Sequence, residues 1–290
     1  MANYVKRLFA LLDYMDSHLD QSLSTENLSQ VAFLSRFHFH RQFAAVFGVN
    51  SGAYLKALRF KQAAYLLAYR SESITDISLQ LSYESSEAFS RAFKQFCQQT
   101  PSDFRQNPNW ILLQQQQDWL HQIRSISMQK SNVNYHVELV DFPEISLAVL
   151  QHKGEPHLLG NSIRRFIEWR KENRLPPSIS RTFNLIYSDP ETTPDDEYQF
   201  DLAAEYPKPP GDNSHGIISG KIPAGLCARI CHQGSDAGLA AAVNYLYREW
   251  LQKSDYELRD FPLFFERVSF YPDVPESETI THIYLPLINS

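Results

Sequence analysis

Residues 82–94 read Ser82-Tyr83-Glu84-Ser85-Ser86-Glu87-Ala88-Phe89-Ser90-Arg91-Ala92-Phe93-Lys94, and the same design stands fifty residues earlier. Thr25, Ser35, Phe39, Arg41 and Phe43 recur as Thr75, Ser85, Phe89, Arg91 and Phe93. Self-similarity at a fixed offset marks a duplicated structural unit. In each copy the pattern predicts a short helix, a tight turn and a second helix opened by a serine, whose hydroxyl can accept from the free N–H groups of the first turn. In unit one, Ser24 or Thr25 caps a helix through Val31, the turn lies around Ala32 to Leu34, and Ser35 caps a helix that reaches Phe47 before Gly48. In unit two, Thr75 is expected to cap the first helix, Ser82-Tyr83 to turn, and Ser85 to cap the second.

Helical spacing puts Phe39, Phe43 and Phe47, like Phe89, Phe93 and Phe96, on one face of their helices, where they should form core. The opposite face carries Arg36, Phe37, His40 and Arg41 in unit one and Ser86, Glu87, Ser90 and Arg91 in unit two. Side chains in the first turns of a helix lying in the major groove reach base edges, and an arginine bonds guanine O6 and N7 with both arms. His40 and Ser90 can donate or accept, and Glu87 can accept from a cytosine amino group or orient Arg91. A solvated helix face explains any one of these residues; it explains a duplicated arrangement poorly. Ser51 through Tyr69 should form a stiff connector that holds the two reading helices about 34 Å apart, one groove turn. Arg59 and Lys61 on it suit intramolecular pairing better than phosphate contact.

Composition agrees with this division of labour. Of 290 residues 43% are hydrophobic, enough for two cores. The net charge of −6 is unevenly spread: residues 1–130 carry 13 Lys+Arg against 10 Asp+Glu, and the rest carry 14 against 23. A DNA partner therefore belongs to the first segment, although its excess is too small to establish one. No apolar run approaches the roughly 20 residues of a membrane span, so a soluble, cytoplasmic protein without a membrane partner is expected. Three cysteines, of which only Cys227 and Cys231 are close in sequence, indicate neither a disulfide framework nor a metal site. No cofactor is expected.

The run from Ile74 to Arg105, with the closing Thr100-Pro101-Ser102-Asp103-Phe104-Arg105, resembles the signature of the AraC/XylS family of transcription regulators across residues 4–106. The resemblance implies a seven-helix double helix-turn-helix module, residues 1–106, whose base-contacting positions fall on Phe37, His40, Arg41, Ser86, Glu87, Ser90 and Arg91. Ser82 stands where the family favours glycine in the turn, and Gln99 where a glycine commonly precedes Thr-Pro. Residues 107–133, with Asn107-Pro108-Asn109 and the run Gln114–Gln117, read as a linker containing a helix.

Beyond residue 134 short Val/Ile/Leu/Phe/Tyr runs alternate with two amphipathic helices, an α+β pattern. A second repeat, offset by 80, relates Pro143, His152 and Gly154 to Pro223, His232 and Gly234. Two strand-helix-strand halves follow, one sheet face covered by helices and a cleft between the halves. Phe183, Tyr187, Tyr245, Trp250, Phe264, Tyr271 and Tyr284 are the aromatic candidates for its wall. Glu266 sits inside the apolar strand Leu263-Phe264-Phe265-Glu266-Arg267-Val268, where an inward carboxylate needs a cation, a donor or water. His152 and His232 occupy matching turns, where bonding to backbone is the expected role. Residues 134–288, with the stretch from Pro262 to Pro272 and the late Ile283-Tyr284-Leu285-Pro286, resemble the GyrI-like effector-binding domain, the order of domains being Rob-type. That resemblance implies an aromatic or cationic hydrophobic effector with Glu266 as the central acidic residue. Two alternatives stay open: a hydrolase using Glu266 as general base beside Tyr271 or Trp250, and a protein-interaction module contacting RNA polymerase or another protein.

Overall fold

The computed structural model describes residues 3–128, 135–188 and 193–289. They fall into two compact units, Met1–Asn132 with Pro275–Ser277, and Val133–Val274 with Glu278–Ser290.

The first unit is helical: α1 Asn3–Ser17, α2 Thr25–Val31, α3 Arg36–Phe47, α4 Ser51–Tyr69, α5 Ile74–Gln80, α6 Ser86–Cys97, α7 Pro101–Gln106 and α8 Trp110–Met128. Side-chain caps open α2 to α7. Ser35 and Ser85 accept from the backbone N–H groups of His38 and Ala88 at 3.4 and 3.1 Å, and Thr100 caps α7 with Pro101 at its first position. The caps of α2 and α5 are Ser24 and Ser73. Thr75, the expected cap, is the second residue of α5, because Ser73 already satisfies the Asp76 N–H at 3.0 Å. The first helices of the two copies are thus related by 49 positions and the second helices by 50, so the turn of unit two is one residue longer.

Two aromatic cores result. Leu8, Leu11, Phe39, Phe43, Phe47 and Tyr54 close the first, and Phe60, Ile77, Phe89, Phe93, Phe104 and Trp110 close the second. Each fully buried phenylalanine stabilises by about 1.5–3 kcal/mol. The connector α4 feeds both, with Tyr54, Leu55 and Leu58 in one and Phe60, Ala63 and Leu67 in the other. The segment expected as linker does more than connect. In α8, Trp110 and Leu113 are buried in the second core and Leu120 and Ile123 in the first. The remainder of that expected linker, residues 129–133, lies outside the described residues.

The second unit is α+β. Its strands are β1 Val137–Phe142, β2 Ile145–Lys153, β3 Thr182–Ile186, β4 Gln199–Glu205, β5 Ile218–Ile222, β6 Gly225–Gln233, β7 Tyr256–Leu258, β8 Leu263–Arg267 and β9 Ile280–Asn289. They pair antiparallel in the order β1-β6-β9-β8-β3-β4-β2-β5, with β7 on β9. Alternation along the strands separates two faces. Helix α9 Leu159–Glu172 covers Ala148, Leu150, Leu202 and Ala204. Helix α10 Leu239–Tyr245, continued by a π turn over Leu246–Trp250, covers Ala228, Ile230, Phe265 and Ile283. Their strand neighbours Leu147, Phe183, Phe264 and Tyr284 point to the helix-free face. The halves meet where β3 pairs with β8, setting Phe183 opposite Glu266.

The repeat is legible in detail at its turns. Gly154 and Gly234 take φ of 101° and 122°, and their N–H groups reach Tyr198 O and Thr279 O. His152 and His232 each place Nε2 on a backbone carbonyl, of Glu155 at 3.2 Å and of Ser235 at 3.0 Å.

Candidate functional sites

In the helical unit, Arg41 and Arg91 occupy equivalent positions on α3 and α6, and both are exposed. His40 and Glu87 are exposed beside them, and Ser86 and Ser90 are half-buried. Arg36 is exposed and lies 4.0 Å from Glu26, an ion pair of little consequence in water. The side chain of Phe37 lies outside the described residues. Glu87 is held below the usual carboxylate range by its own backbone N–H and the Ser85 hydroxyl, with a smaller contribution from Arg91. These faces are exposed because Phe39, Phe43, Phe89 and Phe93, on the opposite sides of the same helices, are fully buried. The 19 residues of α4 span about 28 Å at 1.5 Å per residue. Arg59 bonds the carbonyls of Leu19 and Gln21 at 3.3 and 2.6 Å, and Lys61 pairs with Glu276 at 2.5 Å. Arg59 and Lys61 therefore serve the fold.

In the sheet unit, Glu266 projects from β8 onto the helix-free face among aromatic rings. Its Oε2 accepts from Tyr284 Oη at 2.9 Å and lies 3.5 Å from His282 Nδ1. Its Oε1 accepts from Arg181 Nε at 2.7 Å. Burial alone would raise its pKa, but the Arg181 hydrogen bond and charge, then Tyr284 and His282, hold it below the usual carboxylate value. Tyr284 is pushed up to about 12 by burial and by the neighbouring carboxylate. Phe264 stacks on Tyr284 with ring centroids 4.9 Å apart, and Phe142 meets both edge-on. Phe183 is fully buried beside them.

The structure thus brings Glu266 together with three of the seven expected aromatic residues, Phe183, Phe264 and Tyr284. Tyr245 and Trp250 lie elsewhere, in the cluster under α10, where Tyr245 packs on Tyr135 and Trp250 stacks on Tyr256. Their helix turns toward the opposite sheet face. Tyr187 is 47% exposed at the end of β3 and bonds the buried Asp201, whose pKa burial raises. Tyr271 stands in the loop after β8, before the cis proline Pro272. Sequence reasoning missed Phe142, Arg181, Arg229 and His282. The last two flank Tyr284 across β6 and β9, and only the strand register, absent from a single sequence, reveals the group.

Two similar serine-capped helices with exposed arginines are thus followed by a domain whose helix-free sheet face gathers aromatics around a carboxylate. Residues 135–288 match the model for the GyrI-like small molecule binding domain and residues 28–107 that for a helix-turn-helix domain of AraC type. The chain belongs to the GyrI-like family and is a DNA-binding transcription regulator. It is 34% identical over 158 residues to the probable transcriptional regulator YgiV of Escherichia coli K12, covering 54% of this chain and 99% of that one. It is 40% identical over 100 residues to the right origin-binding protein of the same organism, covering 34% of this chain and 35% of that one. The EcmrR C-terminal domain, a solved structure, aligns at TM-score 0.44 and 18% identity over 54% of this chain and 99% of that one. Among the described residues no helix is long and apolar enough to cross a membrane, and no group of three or more His, Cys, Asp or Glu could hold a metal ion.

Proposed function

We propose that the chain regulates transcription in response to a small effector with an aromatic body. Arg36, Phe37, His40, Arg41, Ser86, Glu87, Ser90 and Arg91 contact operator DNA, and the effector binds on the helix-free sheet face around Glu266, Phe183, Phe264 and Tyr284. Tyr187 and Tyr271 border this face from its loops in the same proposal. The observation that carries it is the placement of a hydrogen-bonded carboxylate, 13% exposed, within a cluster of aromatic rings that stands free of the covering helices. Flat rings give an aromatic ligand offset-stacked and edge contacts, and a fixed polar group orients it.

A hydrolytic role for Glu266 fits less well. A general base works best with a pKa near the working pH, whereas Arg181 and then Tyr284 hold this group below the ordinary carboxylate value. The relatives named above that carry a function in their names are transcriptional regulators or origin-binding proteins. RNA polymerase remains the protein partner of the proposal.

The test is a thermal-shift screen of aromatic compounds on the whole protein and on Glu266→Gln and Phe264→Ala. The reading expects compounds that raise the melting temperature of the wild type and do so less in the variants. Shifts identical in all three proteins would refute it.

A further inference from the structure

One segment of the helical unit comes from the far end of the chain. Pro275–Ser277 belongs to that unit, although its sequence neighbours Val274 and Glu278 belong to the sheet unit. The tripeptide is gripped at two points. The Glu276 carboxylate reaches Lys61 of α4 at 2.5 Å, with His121 of α8 at 3.8 Å from the same oxygen. The Glu276 backbone N–H donates to Asp16 Oδ2 of α1 at 2.9 Å, and the Ser277 N–H bonds the same carboxylate. Arg124 of α8 closes the group, 3.9 Å from Asp16 and 2.8 Å from Asp13.

These charges are buried, and a buried charge is costly unless it is paired and hydrogen-bonded. The Lys61 side chain is 5% exposed and that of Asp16 1%. The carboxylate that meets Lys61 is supplied from outside the eight helices. Its place in the unit shows what it ties together. Asp16 follows Leu8, Leu11 and Met15 of α1, all buried in the first aromatic core. Lys61 follows Phe60, which packs in the second core on Phe93 and Phe96 of α6, with ring centroids 5.7 and 4.9 Å apart. By holding Asp16 with its backbone and Lys61 with its side chain, the tripeptide fastens the core beneath α3 to the core beneath α6. A single helix shared by two cores lets each rock about it, and a second tie removes that freedom.

Resting on the reading of α3 and α6 as the helices that contact DNA, we propose that Glu276 is a positioning residue for operator recognition. By pinning the first core to the second near the middle of α4, it fixes the spacing and relative turn of the two helices. Discrimination by the N-terminal module is then completed by a residue that lies outside the module's own stretch of sequence.

DNA selected from a random pool by the full-length wild type gives a site, and hydroxyl-radical footprinting locates its two contacted segments. One base pair inserted between them shifts the second segment by about 3.4 Å and turns it by about 35°. Fluorescence anisotropy measures both duplexes, and the ratio of their dissociation constants is the readout. A variant that is merely less folded weakens both by the same factor and leaves the ratio alone. The wild type should bind the inserted duplex about tenfold or more less tightly. Glu276→Gln should bring that penalty below about threefold, while Glu276→Asp, which keeps the charge, should retain most of it. Lys61→Met/Glu276→Gln removes both buried charges and serves should the single variant fold poorly; it should lower the penalty in the same way. A full penalty in Glu276→Gln and in the double variant overturns the proposal, as does a wild type that tolerates the insertion. Arg41→Ala and Arg91→Ala test the underlying reading in the same assay. Wild-type affinity in both removes that reading, whereas weakened binding in both, with the penalty undiminished in Glu276→Gln, overturns the role of Glu276 alone.

Discussion

Phe33 and Ser82 hold the same left-handed backbone conformation, φ 52° and 58°, in the turns that precede α3 and α6. In both copies the hydrogen bonds repeat as well: Phe33 N reaches Gln30 O and Leu34 N reaches Ser29 O, while Ser82 N reaches Leu79 O and Tyr83 N reaches Ser78 O. This is the Schellman closure of a helix, where glycine is favoured because it pays no Cβ penalty. The glycine that the family resemblance implies at Ser82 would have its physical reason here.

The third such position makes a prediction. Gly48 ends α3 with φ 70°, and Gln98, its counterpart after α6, takes φ 58° with a side chain the conformation disfavours. Gln98→Gly should stabilise the protein by about 0.5–1 kcal/mol once the greater freedom of the unfolded glycine chain is subtracted. Gly48→Ala meets no atom within 4 Å, so its cost, about 1 kcal/mol, should be backbone strain alone. Urea unfolding of the two variants checks both signs.

Arg41→Ala and Arg91→Ala should each weaken binding to DNA selected from a random pool by about 1–3 kcal/mol and relax selectivity at different base positions. Because both side chains are exposed, circular dichroism should show unchanged helix content. Affinities equal to the wild type in both variants would remove the assignment of α3 and α6 as readers.

Acid should act on the helical unit through Glu276. Burial raises its pKa, but hydrogen bonding to His121 and the charge and hydrogen bond of Lys61 outweigh it and bring the value to about 2. A carboxylate depressed from its ordinary 4.5 contributes stability that is complete above pH 4.5 and is lost as pH falls toward 2. Asp16, raised chiefly by burial, works in the opposite sense. Glu276→Gln should therefore be less stable than the wild type at pH 7, and the gap should narrow by pH 3, as followed by denaturant unfolding. A gap independent of pH would contradict the assignment.

Gly238→Ala should destabilise the sheet unit by about 1–3 kcal/mol, since the new methyl would lie 2.4 Å from His232 Cε1. Adding His232→Ala should recover much of that loss, so the two changes should be far from additive in a double-mutant cycle.

Much of this was legible in the chain of letters, and the misses have local causes. The phenylalanines of α3 and α6 follow helical spacing, so the buried faces, and with them the opposite exposed faces, could be assigned. The caps of α2 and α5 could not be separated from adjacent hydroxyls, because Ser24-Thr25 and Ser73-Ile74-Thr75 offer rival acceptors and only the hydrogen bond decides. Glu266 stood out as a carboxylate in an apolar strand. Its partners did not: Arg181 lies 85 positions away and reaches it only through the pairing of β3 with β8. Tyr245 and Trp250 were misplaced because α10 and the π turn that continues it pack on the covered side of the sheet, a side that the spacing of the letters does not reveal.

Since α4 threads both aromatic cores, His40 and Arg41 at one end and Ser90 and Arg91 at the other belong to a single covalent frame whose two exposed faces carry different side chains. A duplex held by such a frame has a head and a tail. Reversing the operator relative to a promoter would then present the whole molecule backwards to whatever stands beside it.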